Sequence, residues 1–344
     1  MANNINFGKI YDSTWWGVGV TSNTINWGKS YLDLAGGGDE RFIITVKTDN
    51  AGTSATNKFT LPTTGTGYNY DITTSDGQVI TGLTTGTTIT FPTAGTYDIF
   101  ISGSFPRCYF NDTGDKDKLV DIKNFGIYAL GSTSQSGAFF GCSNMVISAT
   151  DIGHFENVTI FNAAWVNCSS LTSFPLINTS SGTSFSFAWQ GCSSLTSFPL
   201  INTSSGTGFV FAWNSCTSLT SFPLINTSSG TIFTNAWRNC SSLTSFPLLD
   251  ISSGTNFAQT WQGCSSLTSF PANAFDTNIA TNYTDSFSFT NLTTQSIDDI
   301  LVSLVASGVS NGTFNQSGGQ APSATGQNAI TTLLGRGWTI TTTA

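Results

Sequence analysis

The residues with chemistry to offer in this chain are seven cysteines, one histidine and nineteen carboxylates. A nucleophilic cysteine needs a base beside it and an electropositive niche that lowers its pKa. The single histidine, His154, precedes Phe155, and a lone histidine there reads as structural. Asp112, Asp115, Asp117 and Asp121 crowd into one short segment. Together they could offer oxygens to Ca²⁺, but Lys116 and Lys118 interleave with them, and a solvated linker is the better reading. Glycoside hydrolysis needs a positioned pair of carboxylates, whereas Asp250 is the only carboxylate between Asn157 and Phe275. No zincin, nucleophile-elbow, phosphate-loop or dinucleotide motif stands in a supporting context. The expectation is a protein that is not an enzyme, with no catalytic residue, no metal and no cofactor.

The cysteines point instead to architecture. Cys168, Cys192, Cys216, Cys240 and Cys264 are each 24 residues apart, and Cys142 precedes them by 26. The same text surrounds each one, as in Phe185-Ser-Phe-Ala-Trp189-Gln-Gly-Cys192-Ser-Ser-Leu195-Thr-Ser-Phe198-Pro-Leu200-Ile-Asn202. Phe185, Trp189, Cys192 and Leu195 have the spacing of one face of a short helical stretch. Leu195, Phe198 and Leu200 lead through a turn into a short strand. One such unit cannot bury its apolar face alone, but stacked copies can, so the chain is expected to form a solenoid. Stacking places the cysteines inside as reduced, small hydrophobes. The column Trp165, Trp189, Trp213, Trp237 and Trp261 is expected in the core, with a surface stripe as the alternative. Asn178, Asn202, Asn226 and Asp250 are expected to bond to the backbone of the turns.

The element A-W-x-x-C-S-S-L-T-S-F resembles the A-F-x-x-C-x-x-L-x-x-I element of BspA-like, Treponema-type leucine-rich repeats, with Trp in place of the usual Phe. The resemblance spans roughly residues 124–276. It implies a leucine-rich-repeat fold and a role in adhesion or surface display.

Around the repeats the elements change. Residues 40–106 carry strand-like runs such as Arg41-Phe-Ile-Ile-Thr-Val-Lys47 and Thr96-Tyr-Asp-Ile-Phe-Ile-Ser102. The lead-in Thr93-Ala-Gly-Thr-Tyr97 resembles that of PKD-like, immunoglobulin-type sandwiches, without their W-G-D-G turn. Residues 277–344 read as a helix from about Thr294 with Ser296 as N-cap, a strand near Gly312–Gln316, a helix from Thr325 to Gly335, and a strand at Trp338–Thr341. The fold expected is thus mainly β with short helices: a β-sandwich over 40–106, a solenoid over 107–276 and a small α/β cap over 277–344. Residues 1–39 form a separate segment ending in Gly36-Gly37-Gly38. Its paired Ile5-Asn-Phe-Gly-Lys and Ile25-Asn-Trp-Gly-Lys runs resemble the N-termini of structural proteins of tailed bacteriophages.

The chain is 39% hydrophobic and only 9% charged, with a net charge of -8, against about 25% charged residues in an ordinary soluble domain. That balance argues against nucleic acid and anionic membranes as partners. No apolar leader and no membrane span are read, so the protein is expected to be made in the cytoplasm. The leading expectation is a phage virion protein: a fibre, decoration or receptor-binding subunit. Its partners would be other virion proteins, a host surface protein or glycan, and further copies of itself. The alternative is a bacterial cell-surface adhesin. A third is an ice- or mineral-binding solenoid, suggested by the row Thr172, Thr196, Thr220, Thr244 and Thr268. Phe7, Trp15, Trp16 and Trp27 are the candidate virion-attachment residues. By the alternation of a strand, Phe198 and Leu200 point inward and Ile177, Ile201, Ile225 and Leu249 form an outward apolar row. That row is read as a contact with another chain or with the chain's own domains. The positions that vary between copies, including Gln190, Asn214, Arg238 and Gln262, are the candidate target-reading face.

Overall fold

A run of β-branched and aromatic residues, each flanked by turn formers, favours a pleated, half-buried conformation. In the computed structural model, which describes residues 39–343, such a run forms β1 (Phe42–Lys47) at the heart of a six-stranded sheet. Antiparallel to it lie β6 (Thr96–Ser104) and β7 (Leu119–Asn124). Beyond β6 come β3 (Asn69–Thr74) and β4 (Val79–Leu83), and β8 (Val146–Ile147) runs parallel to β7. A second antiparallel pair joins β2 (Lys58–Leu61) to β5 (Thr87–Thr90), with Phe59 opposite Ile89. Phe42, Ile44, Val46, Ile72, Ile99 and Ile101 are buried with Phe59 and Ile89 in one core. The sheet does not stop at residue 106: β7 and β8 come from the stretch assigned to the repeats.

The segment expected as a solvated linker is built into this core. Asp115 and Lys118 are buried, 3.8 Å apart. Lys118 Nζ donates to the carbonyls of Ser54, Ala55 and Lys58 at 3.0, 2.9 and 2.9 Å. Burial alone would raise the Asp115 pKa, but donation from Ser54 Oγ and N (2.6 and 2.9 Å) and Thr60 N (2.7 Å), with Lys118 behind, outweighs it and holds the carboxyl below its ordinary value. A depressed pKa in the folded state stabilises the fold fully above the unfolded value of 3.8 and ceases to do so as pH falls through the folded one. Wild type should therefore lose stability below pH 3.8. Asp115→Asn should start less stable at neutral pH and show a flatter acid limb in denaturant titrations. Parallel limbs in the two proteins would place the acid sensitivity elsewhere.

From Ser134 onward the chain stacks on itself. Parallel bridges link Ser134 to Ile160, then Ser184, Gly208, Ile232, Asn256 and Asn282 in succession. Between them Phe185, Phe187, Trp189 and Gly191 donate to the carbonyls of Gly208, Val210, Ala212 and Asn214 in the next unit, at 2.8–2.9 Å. The helical stretch expected over Phe185–Leu195 is absent. Its backbone is a chain of tight turns closed by Ala188 N to Phe185 O, Cys192 N to Trp189 O and Leu195 N to Cys192 O. Phe187 (φ 63°) and Gly191 (φ 73°) are left-handed, as are Phe211, Ser215, Asn235 and Asn239 in their copies. Each non-glycine residue held there costs about 1–2 kcal/mol. The N–H groups then alternate: those of Ala188, Gln190 and Cys192 donate within their own unit, while those of Phe187, Trp189 and Gly191 find carbonyls in the adjoining one.

Side chains stack in register with the backbone. Trp189 and Trp213 lie 5.4 Å apart and 8° from parallel, and Phe185 and Phe209 lie 5.6 Å apart. Phe198 meets Trp189 and Trp213 edge-on at 4.8 and 5.4 Å. The Trp column is buried, which settles the choice between core and surface stripe. The columns run on into β9 (Asn282–Ser288), where Tyr283 stacks on Phe257 at 5.3 Å and Phe287 on Trp261 at 4.9 Å. Parallel to β9 runs β10 (Thr313–Ser317), and parallel to β10 runs β11 (Thr339–Thr341). Among the described residues the α-helices are α1 (Thr294–Ala306) and α2 (Ala324–Gly335), both beyond the repeats. The N-cap of α1 is Thr293, whose side chain accepts from Ser296 N, rather than Ser296 itself. The chain is mainly β with few helices.

Candidate functional site

Among the described residues the chemically capable side chains do not converge. All seven cysteines are free and buried. Cys192 Sγ donates to Trp165 O and Cys216 Sγ to Trp189 O, both at 3.2 Å, and Cys168, Cys240 and Cys264 bond likewise, so these five thiols are tied to the neighbouring unit. Burial pushes the Cys192 and Cys240 thiols up to about 12, the reverse of what a nucleophile needs. A thiol reagent should therefore label almost none of them in the native protein and all seven after denaturation without reductant. Fast native labelling would mean that the units open readily.

His154 is part-exposed, with Nδ1 3.5 Å from Glu156 Oε1. Asp112 pairs with Lys116, Asp115 binds Ser54 and Thr60, Asp117 accepts from Ser143 and Asp121 accepts from Ser148. Lys116 Nζ also lies 3.7 Å from Asp117, so Asp112 and Asp117 share one lysine while Asp115 and Asp121 are engaged elsewhere. Among the described residues no group of three metal-binding side chains comes together, and no helix is long and apolar enough to cross a membrane.

What the fold does offer is surface, and its faces differ from those expected. Ile177, Ile201, Ile225 and Leu249 are buried, whereas Leu176, Leu200, Leu224 and Leu248 are 59, 63, 64 and 54% exposed. The cause is local. Ile201 N donates to Pro199 O at 2.9 Å, and the same bond recurs at Ile177, Ile225 and Leu249. This three-residue turn centres on the leucine and breaks the alternation of a strand. The outward row is therefore leucine. A signal for it lay in the Phe-Pro-Leu-Ile text, since proline cannot donate within a ladder and favours turns.

The variable face is also partly withdrawn. Asn214 and Gln262 are buried, and Gln190 and Arg238 are half-buried. These residues follow the tryptophan, and their N–H groups are turned back into their own unit, as in Gln190 N to Phe187 O at 3.2 Å. Phe187 is exposed and stacks 5.1 Å from Phe211. Phe7, Trp15, Trp16 and Trp27 lie outside the described residues.

Compared with family models, curated proteins and solved structures, the chain matches none.

Two hydroxyl rows complete the surface. Thr207 Oγ1 donates to Thr183 O at 3.2 Å and Thr231 Oγ1 to Thr207 O at 3.1 Å. Thr196 and Thr220 repeat the pattern one turn later, at 3.3 Å each. Each hydroxyl spends its proton on the neighbouring unit and shows solvent mainly its acceptor side. Asn202 Oδ1 accepts from Ser204 N at 3.0 Å, the turn-bonding role expected of the Asn row.

Proposed function

We propose that this chain is a non-enzymatic display protein: a solenoid of leucine-rich-repeat type acting as a fibre, decoration or receptor-binding subunit of a tailed-phage virion. The observation that carries the reading is the uniformity of the stack. Unit after unit sets the same Phe, Trp and Cys inside and the same Leu, Ser and Thr outside. From Asn157 to Phe275 the only charged residues are Arg238 and Asp250. Such a body suits presentation of an extended face, and its exposed leucine row supplies an apolar strip for a further copy of the chain or another virion protein. Residues 1–39 would hold the protein to the particle, and the likeness of the repeats to BspA-like surface proteins supports the outward role.

The experiment is incorporation. Deleting residues 1–39 should leave a folded protein that is absent from purified particles, while the full chain is seen on them by immunogold labelling. Normal incorporation of the truncated chain would defeat the attachment role. The same likeness to bacterial surface proteins favours a second reading, a cell-surface adhesin. Antibody labelling of uninfected cells, with bare particles, would put it first.

A further inference from the structure

Where the sheets meet the first stacked unit, a cleft of about 400 Å³ opens between the β2–β3 loop, the end of β6 and the turn at Leu130–Ser134. It is a shallow site open to solvent, with room for one sugar-sized ligand. One guanidinium stands in it and no carboxylate lines it. Arg107 Nη1 is held by Ser134 O, Ser134 Oγ and Ser136 O at 3.3, 3.3 and 3.2 Å, and its Cζ lies 5.1 Å from the Tyr109 ring centroid. The planar group is thus fixed by one nitrogen. Among the described residues its Nε and Nη2 have no partner, and Arg107 forms no ion pair although the chain is acidic.

The hydroxyls of Thr64, Thr66 and Thr133 around it make no bond among the described residues, unlike the repeat threonines. Leu130, 46% exposed, adds one apolar patch. Gly65 and Gly131 have φ of 81° and 72°, and a Cβ on either would touch nothing, so the walls stay open.

We propose that this cleft binds an acidic sugar unit, with its carboxylate on Arg107 and its hydroxyls on Thr64, Thr66 and Thr133. A single pre-oriented fork suits a carboxylate. A phosphate would find no second cation among the lining residues. Three free hydroxyls beside one charge match a ligand that carries many hydroxyls and one charge. The assignment deepens the receptor-binding reading by naming a ligand class. Its test is a solution measurement, so particle incorporation can fail while the cleft binds, and the reverse.

The full chain is titrated by calorimetry with D-galacturonate, D-galactose, acetate and a short peptide with a free C-terminus. Galacturonate should bind saturably and more weakly as salt rises. Galactose and acetate should each bind about tenfold or more weakly, since each lacks half of the contacts. Arg107→Gln should lose about tenfold or more in galacturonate affinity, the worth of a charge-assisted pair. Because Arg107 also holds the first unit, Thr66→Trp serves as the second variant. It should block the cleft with Arg107 and its bonds in place. Equal binding of acetate would reveal a simple anion site, and equal galactose a neutral-sugar site. Tighter peptide binding, wild-type affinity in both variants, or no galacturonate binding would each overturn the proposal.

Discussion

Trp213→Ala should destabilise the repeat stack by about 3–5 kcal/mol, the usual cost of removing a large buried aromatic. Trp213 is fully buried between Trp189 at 5.4 Å and Trp237 at 5.3 Å, with Phe198 and Phe222 edge-on at 5.4 and 4.9 Å. The cavity cannot readily collapse. The backbones on either side are clamped by Trp189 N to Ala212 O and Trp213 N to Ala236 O, both 2.8 Å. Stacked units couple to their nearest neighbours, so the middle of the array should melt first. Trp213→Phe should cost much less. Phe287 already occupies this column above Trp261, and the indole Nε1 of Trp213 has no hydrogen-bond partner among the described residues, so phenylalanine removes a buried unpaired donor along with the volume. Urea denaturation of the three proteins would decide it. Equal midpoints would mean that the column contributes nothing to stability.

The second large effect separates two adjacent residues. Ile201→Asp should cost several kcal/mol or prevent folding, because Ile201 is buried and an unpaired carboxylate there has no partner. Leu200→Asp should change stability by only about 0.5 kcal/mol, the usual range for an exposed site, since Leu200 is 63% exposed. If the leucine row is an assembly contact, Leu200→Asp with Leu224→Asp should shift sedimentation to smaller species while the melting curve stays put. A stable Ile201→Asp and an unfolded Leu200→Asp would restore the strand alternation in place of the turn.

How far the sequence speaks depends on the range of each interaction. The period of the cysteines was enough to place Phe185, Trp189 and Cys192 in columns, because a repeated text can bury itself only against its own copies. The closing helices were legible from local caps and periodicity, with an error of three residues at Thr293. The path within each unit was not legible. Spacing at i, i+4 and i+7 suits a helix, yet left-handed Phe187 carries no glycine to announce it. The burial of Asp115 was equally hidden, since its partners Ser54 and Thr60 lie more than 50 residues upstream. The Arg107 cleft is assembled from three distant segments, and no window of sequence contains it.

Because each unit bonds to the one before and the one after, the segment that closes the stack meets the last unit, with Tyr283 and Phe287 on Phe257 and Trp261 and with Phe270 and Phe275 beside them. The Phe and Trp of that face recur in every unit from Phe161 and Trp165 onward, whereas Thr260, Phe275 and Asp276 belong to the last unit, which stays next to the closing segment when an internal unit is lost or gained. Recombination between near-identical gene segments can therefore drop or duplicate one module, and the closing segment will find an equivalent seat, raised or lowered by about 4.8 Å. The height of the molecule is in this sense a copy number, free to drift by whole steps while every interior contact is preserved.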